Sequence, residues 1–207
     1  MTSSETVFAS PSRNSVLTSV KGQLLVATAE LNGTPFERAV IYMVSHDENG
    51  AMGVMVNKPL PSIQFTDIVK SMNIEEMMQA GVGIGLKRQP IIMKGGPVDN
   101  NRGFVLHSGE YSIPGTIRVN DEVGLSATVE IVSDIARGTG PRNMNFCLGY
   151  AGWAPHQLDD ELHGNGWLVV PGAKHIVFDL PHDKRYTAAT RALGVNALNF
   201  MDMVGEA

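Results

Sequence analysis

Residues 39–57, AVIYMVSHDENGAMGVMVN, decide the fold. Ala39 to Ser45 is an apolar run rich in β-branched and aromatic residues, which fits a strand. Asp47-Glu48-Asn49-Gly50 follows, with Asn-Gly a strong hairpin signal. Ala51 to Asn57 is apolar again and returns along the first strand. The reading is a β-hairpin pairing 39–46 with 51–57, ended by Pro59 and Pro61.

Outward from the hairpin, strands and helices alternate irregularly. Gln23 to Thr28 is short and apolar. Phe65, Ile68, Val69 and Met72 recur at helical spacing, so 63–72 reads as an amphipathic helix, with Ile74 to Ala80 as a possible extension up to Gly81. Pro90 to Met93 and Gly103 to His107 read as strands flanking Lys94-Gly95-Gly96-Pro97, and Thr116 to Leu125 holds short strand pieces. Thr128 is positioned to cap a helix burying Ile131, Val132, Ile135 and Ala136, stopped at Gly138. Asn145 to Gly149 and Trp167 to Val170 read as strands, Pro155 to His163 and Lys184 to Leu193 as helices. No βαβ rhythm appears. The expected class is α+β: a single domain over 16–207 with a mixed, mainly antiparallel sheet packed with helices, preceded by a disordered tail over 1–15.

Composition narrows the function classes. The chain has 207 residues and a net charge of −5, with 16 Lys and Arg in no run longer than two. Duplex DNA asks for a basic face that can neutralise several phosphates, so this balance argues against direct DNA binding. No apolar run approaches a membrane span, and the first 20 residues, nine of them Ser or Thr, hold no signal-peptide core. Cys147 is the single cysteine, which excludes an internal disulfide and paired-Cys zinc sites and fits a reducing, cytoplasmic setting.

Three Gly-punctuated stretches stand out: 42–59, YMVSHDENGAMGVMVNKP; 93–107, MKGGPVDNNRGFVLH; and 148–158, LGYAGWAPHQL. With Gly22-Gln23-Leu24-Leu25 before them, they fall in the order that resembles the AlgH/YqgE family of small bacterial cytosolic proteins, over roughly residues 16–200. The resemblance implies the same fold class and a loose label as a regulator of transcription. It implies no chemistry. Two departures are visible: Ala154-Pro155-His156 stands where small residues are usual, and Ala80 to Arg88 matches no part of the pattern.

Each chemical reading has a plain alternative. Gly95-Gly96-Pro97 is a backbone anion nest or, more simply, a tight turn between two strands. Cys147, Ser108 and Ser45 are possible nucleophiles, but Gly-x-Ser-x-Gly is absent, and Cys147 reads best as a buried core residue. His156, Asp160 and His163 share one helical stripe, a metal face or a solvated one. Gly81-Val82-Gly83-Ile84-Gly85 lacks the preceding strand that a dinucleotide loop needs. Tyr150, Trp153 and Trp167 line a ligand pocket or pack in the core.

The candidate site is Asn57, Gly95, Gly96, Arg102 and His107, converging at one rim of the sheet. There Arg102 offers a planar fork for carboxylate or phosphate, and His107 a group that titrates near neutrality. No cofactor or metal is called for. The leading functional reading is a non-catalytic protein acting through a protein partner or a small ligand. The alternative is an enzyme acting on a small anionic substrate beside Gly95-Gly96, Arg102 and His107.

Overall fold

The structure, a computed structural model, describes residues 18–72 and 89–194. The expected tail at 1–15, the helix extension beyond Met72, the Gly81–Gly85 loop and the Ala80–Arg88 departure lie outside them. Among the described residues nine strands form one sheet: β1 Leu24–Ala27, β2 Val40–Asp47, β3 Gly50–Met55, β4 Ile92–Lys94, β5 Val98–Ser108, β6 Ile117–Arg118, β7 Val123–Ser126, β8 Met144–Trp153 and β9 Trp167–Val170. The order is β6-β7-β5-β8-β3-β2-β1-β9, with β4 also on β8. Every pair is antiparallel except β4–β8. The helices are α1 Phe65–Ser71, α2 Val129–Arg137, α3 Gln157–His163 and α4 His182–Ala192. None is long and apolar enough to cross a membrane.

The hairpin is present, with Ile41 opposite Met55 and Asp47 opposite Gly50. Glu48 and Asn49, rather than Asn49 and Gly50, form its tip, and the Asn49 N–H donates to Asp47 Oδ1 at 2.8 Å. A bulge between Met43 and Ser45 shifts the register. The run AVIYMV is continuously apolar because both faces of the sheet are covered. Tyr42, Val44 and Val54 join one core with Leu106 and Ile176. On the other face Ile41, Met43 and Met55 pack with Trp153 and Leu158, while Val105 and Phe146 pack with α1 and α2.

The segment 95–97 lies between two strands, as expected, but as a crossing rather than a tight turn. β4 and β5 do not pair. They flank β8, β4 parallel to it and β5 antiparallel. Gly95-Gly96-Pro97 therefore carries the chain across β8. The crossing is close: a Cβ on Gly95 would meet the Gly149 carbonyl oxygen at 2.1 Å. Only glycine lets two backbones pass at that distance.

Helix limits follow their caps. The Gln64 N–H donates to Asp67 Oδ2 at 3.1 Å, opening α1. Gly138, with φ 78°, closes α2. Met72, expected on the buried stripe of α1, is instead 39% exposed at its C-terminal end.

Candidate functional site

β5 and β8 keep regular register from His107 opposite Met144 to Gly103 opposite Leu148, and then jump to Val98 opposite Tyr150. Four β5 residues, Asp99 to Arg102, bulge outward within that interval, with Asp99 in the left-handed region at φ 50°. Bulges re-aim side chains at sheet rims and beside sites. Here the bulge, the start of α2 and the end of α1 enclose a groove of about 340 Å³. Val105, Ile131, Val132 and Phe146 supply an apolar floor, and Asp99, Asn101 and Arg102 a polar rim. Met72 and Val129, both substantially exposed apolar residues, also line it. A concave apolar site with a few polar groups is what a small ligand needs.

The five expected residues do not share one site. Asn57 stabilises the sheet: its Oδ1 accepts from the Val40 N–H and its Nδ2 donates to the Arg38 carbonyl, both at 2.8 Å. Gly95 and Gly96 are buried at the β8 crossing, where the Gly95 N–H donates to the Leu148 carbonyl and its own carbonyl accepts from the Met55 N–H. That donor is used in the sheet and does not face an anion. Arg102 shares the strand parity of Phe104, and its guanidinium lies 5.2 Å from that ring's centroid. It has no ion-pair partner among the described residues. His107 has the parity of Val105, on the opposite face. Asn57, Gly95 and Gly96 are neighbours through β3 and β4, and Arg102 alone of the five lines the groove.

His107 is nevertheless connected to the groove through a residue that the sequence reading passed over. Its Nδ1 lies 3.1 Å from the Ser108 carbonyl oxygen, which can only accept, so Nδ1 carries the proton. Nε2 is then an acceptor, 3.0 Å from Ser126 Oγ. Ser126 lines the groove at the end of β7. Its Oγ is also 2.8 Å from Thr116 Oγ1, whose hydroxyl accepts from the Ile113 N–H. Burial pushes the His107 pKa below its ordinary value and keeps the ring neutral. Gly124 makes room for it, since a Cβ there would meet His107 Cε1 at 2.8 Å. The signal was present as Gly124-Leu125-Ser126, a strand end two residues before the Thr128 cap. It shows only once β5 and β7 are paired.

The other candidates are accounted for by packing. Cys147 is buried, and desolvation pushes its thiol up to about 12, far from a nucleophile's range. The Ser108 hydroxyl donates to Glu110 Oε1 at 2.8 Å. His156 stands before α3 at φ 64° rather than on its stripe, 3.7 Å from Asp159, and His163 Nδ1 turns back to the Asp159 carbonyl. Trp153 and Trp167 are buried, and Tyr150 packs edge-on against Phe104.

A family model described as AlgH-like matches residues 24–198. A UPF0301 protein of Methylobacterium sp. (strain 4-46) is 41% identical over 189 residues, covering 89% of each chain. One from Agrobacterium fabrum is 41% identical over 179 residues, covering 86% of this chain and 89% of its own. The solution structure of the AlgH protein from Pseudomonas aeruginosa superposes with a TM-score of 0.71 at 33% identity, over 94% of this chain and 98% of that one. A crystal structure from Corynebacterium diphtheriae, at 19% identity and a TM-score of 0.62 over 82% and 85% of the two chains, shares the fold.

Proposed function

This chain belongs to the AlgH-like family, and we propose that it works in the cytoplasm by holding a small molecule with an apolar body and an anionic end in the groove between the β5 bulge and α2. One observation carries the reading. The groove joins an apolar floor to a rim on which Arg102 has no ion-pair partner among the described residues. The Arg102 guanidinium rests over the Phe104 ring, on the face away from the Val105 floor, and its exposed, flexible stem lets it swing across the rim to a carboxylate or phosphate. Occupancy of the groove, read by a protein partner, accounts for a regulatory role in transcription without contact to DNA.

The test uses short-chain carboxylates and alkyl phosphates, with hexanoate and butyl phosphate as first probes. Titration followed by amide NMR shifts should saturate, with the largest changes at Gly103, Val105, Ser126 and Val129. Arg102→Ala should weaken binding about tenfold or more, the scale of one charge-assisted contact. Shifts that never saturate, or that spread evenly over the surface, would remove the reading.

A further inference from the structure

We propose that Ser126 and His107 form a Ser–His dyad on the groove wall, competent for acyl transfer from a small ester. The inference rests on the groove being the ligand site and adds a covalent step to it.

The geometry supplies three of the parts that such chemistry needs. Ser126 Oγ is within hydrogen-bond reach of His107 Nε2, at 3.0 Å. The Ser108 carbonyl fixes the imidazole by accepting from Nδ1–H, so the unprotonated nitrogen faces the serine. The third part is position. Ser126 ends β7, and α2 starts at Val129 after Ala127 and the cap Thr128. A strand–serine–helix order places the nucleophile beside the first turn of a helix, whose N–H groups have no intrahelical partner. Val129 and Ile131 of that turn line the same groove. Their main-chain N–H groups are candidate donors to an oxyanion. Among the described residues no carboxylate completes a triad; the Ser108 carbonyl takes the orienting role, supported by the Ser108 hydroxyl contacts to Glu110 and to the Asn143 carbonyl.

The step balances without a co-reactant other than water. Ser126 Oγ bonds to the ester carbonyl carbon while its proton passes to His107 Nε2. The ester C–O bond breaks, and the leaving alkoxide takes that proton and departs as the alcohol. Water then adds to the acyl carbon, giving a proton to Nε2. The Ser126 Oγ–C bond breaks, Oγ recovers the proton, and the carboxylic acid leaves. The apolar floor of Val105, Ile131, Val132 and Phe146 suits an acyl chain of a few carbons.

The experiment uses the full chain. A fluorophosphonate probe is incubated with wild type and Ser126→Ala, the adduct is located by peptide mass, and p-nitrophenyl butyrate hydrolysis is followed in parallel. A phosphonyl adduct on Ser126, absent from folded Ser126→Ala, is the expected result. Hydrolysis should fall about 100-fold or more in Ser126→Ala and in His107→Gln, the scale of a lost nucleophile or general base. Its rate should rise with pH through the ionisation of His107. If His107→Gln fails to fold, the adduct and the pH profile of the wild type still decide. A folded wild type without adduct at Ser126, or equal hydrolysis by Ser126→Ala, overturns the dyad. Hexanoate binding measured on the wild type separates the outcomes: binding without labelling of Ser126 removes only the dyad, whereas loss of both removes the groove reading as well.

Discussion

Gly96 passes so close to Tyr150 that a Cβ on it would lie 2.0 Å from the Tyr150 carbonyl carbon. This contact is where β4 leaves one side of β8 and the chain crosses to become β5. The obstacle is backbone, which no rotamer change can clear. Gly96→Ala should therefore cost about 3 kcal/mol or more, among the largest single-site effects, or prevent folding. Gly33→Ala is the contrast. Gly33 has φ 73° but nothing within 4 Å of the added Cβ, so only the left-handed backbone opposes it, at about 1–2 kcal/mol. Urea unfolding of the two variants checks the order.

Glu161 Oε2 accepts from both indoles, Trp153 Nε1–H at 2.8 Å and Trp167 Nε1–H at 2.7 Å. The rings meet edge to face at 6.0 Å. Glu161→Ala leaves two indole N–H groups without that acceptor and should destabilise by about 2–4 kcal/mol. These are the only tryptophans in the chain, so a change in intrinsic emission reports the loss directly.

Arg185 is 5% exposed, and its hydrogen-bond partners are neutral. Its guanidinium donates to the Leu180 and Val56 carbonyls and to Asn145 Oδ1. Burial lowers its pKa to about 10, which leaves it charged at neutral pH. The fork ties α4 to β8 and to Val56, just past the end of β3. Arg185→Ala should cost about 3–5 kcal/mol by stranding these acceptors, and Arg185→Lys should recover only part of it, because an ammonium lacks the fork. Chemical denaturation measures both.

The pH dependence of stability has a definite sign at His107. Its folded pKa lies below the unfolded value near 6.5 because burial disfavours the imidazolium. Between those two values the unfolded chain binds more protons than the folded one, so stability rises with pH there. Stability should be full above about pH 6.5 and fall as pH drops from there toward the folded pKa. Melting temperatures from pH 7.5 to 5 should show this slope, and His107→Gln should flatten it.

Duplex DNA should bind no better than weak, salt-sensitive background, since a net charge of −5 opposes multiple phosphate contacts. Fluorescence anisotropy at physiological salt measures it; sequence-selective binding tighter than about micromolar is the contrary result.

Local signals were legible where short-range physics decides. The hairpin at 40–55 follows from an apolar run, a polar turn and a second apolar run. The α2 helix follows from the spacing of Ile131, Val132 and Ile135 between Thr128 and Gly138. The single cysteine at once excluded a disulfide framework. Of the expected site, Arg102 reached the groove. Asn57 and the glycines turned out to serve the sheet, because polar and glycine residues are needed as much for strand ends and close crossings as for ligands.

The amino-acid sequence by itself determined which segments extend, which coil and what charge the surface carries, since these depend on residues within a few positions of one another. Tertiary structure alone decided that β4 and β5 flank β8 instead of each other, that Asp99 to Arg102 bulge beside α2, and that His107 meets Ser126 across two strands. Those outcomes depend on strand partners up to tens of residues apart. A one-residue slip in register would turn each side chain to the other face, and only burial of both faces of the sheet selects among the registers.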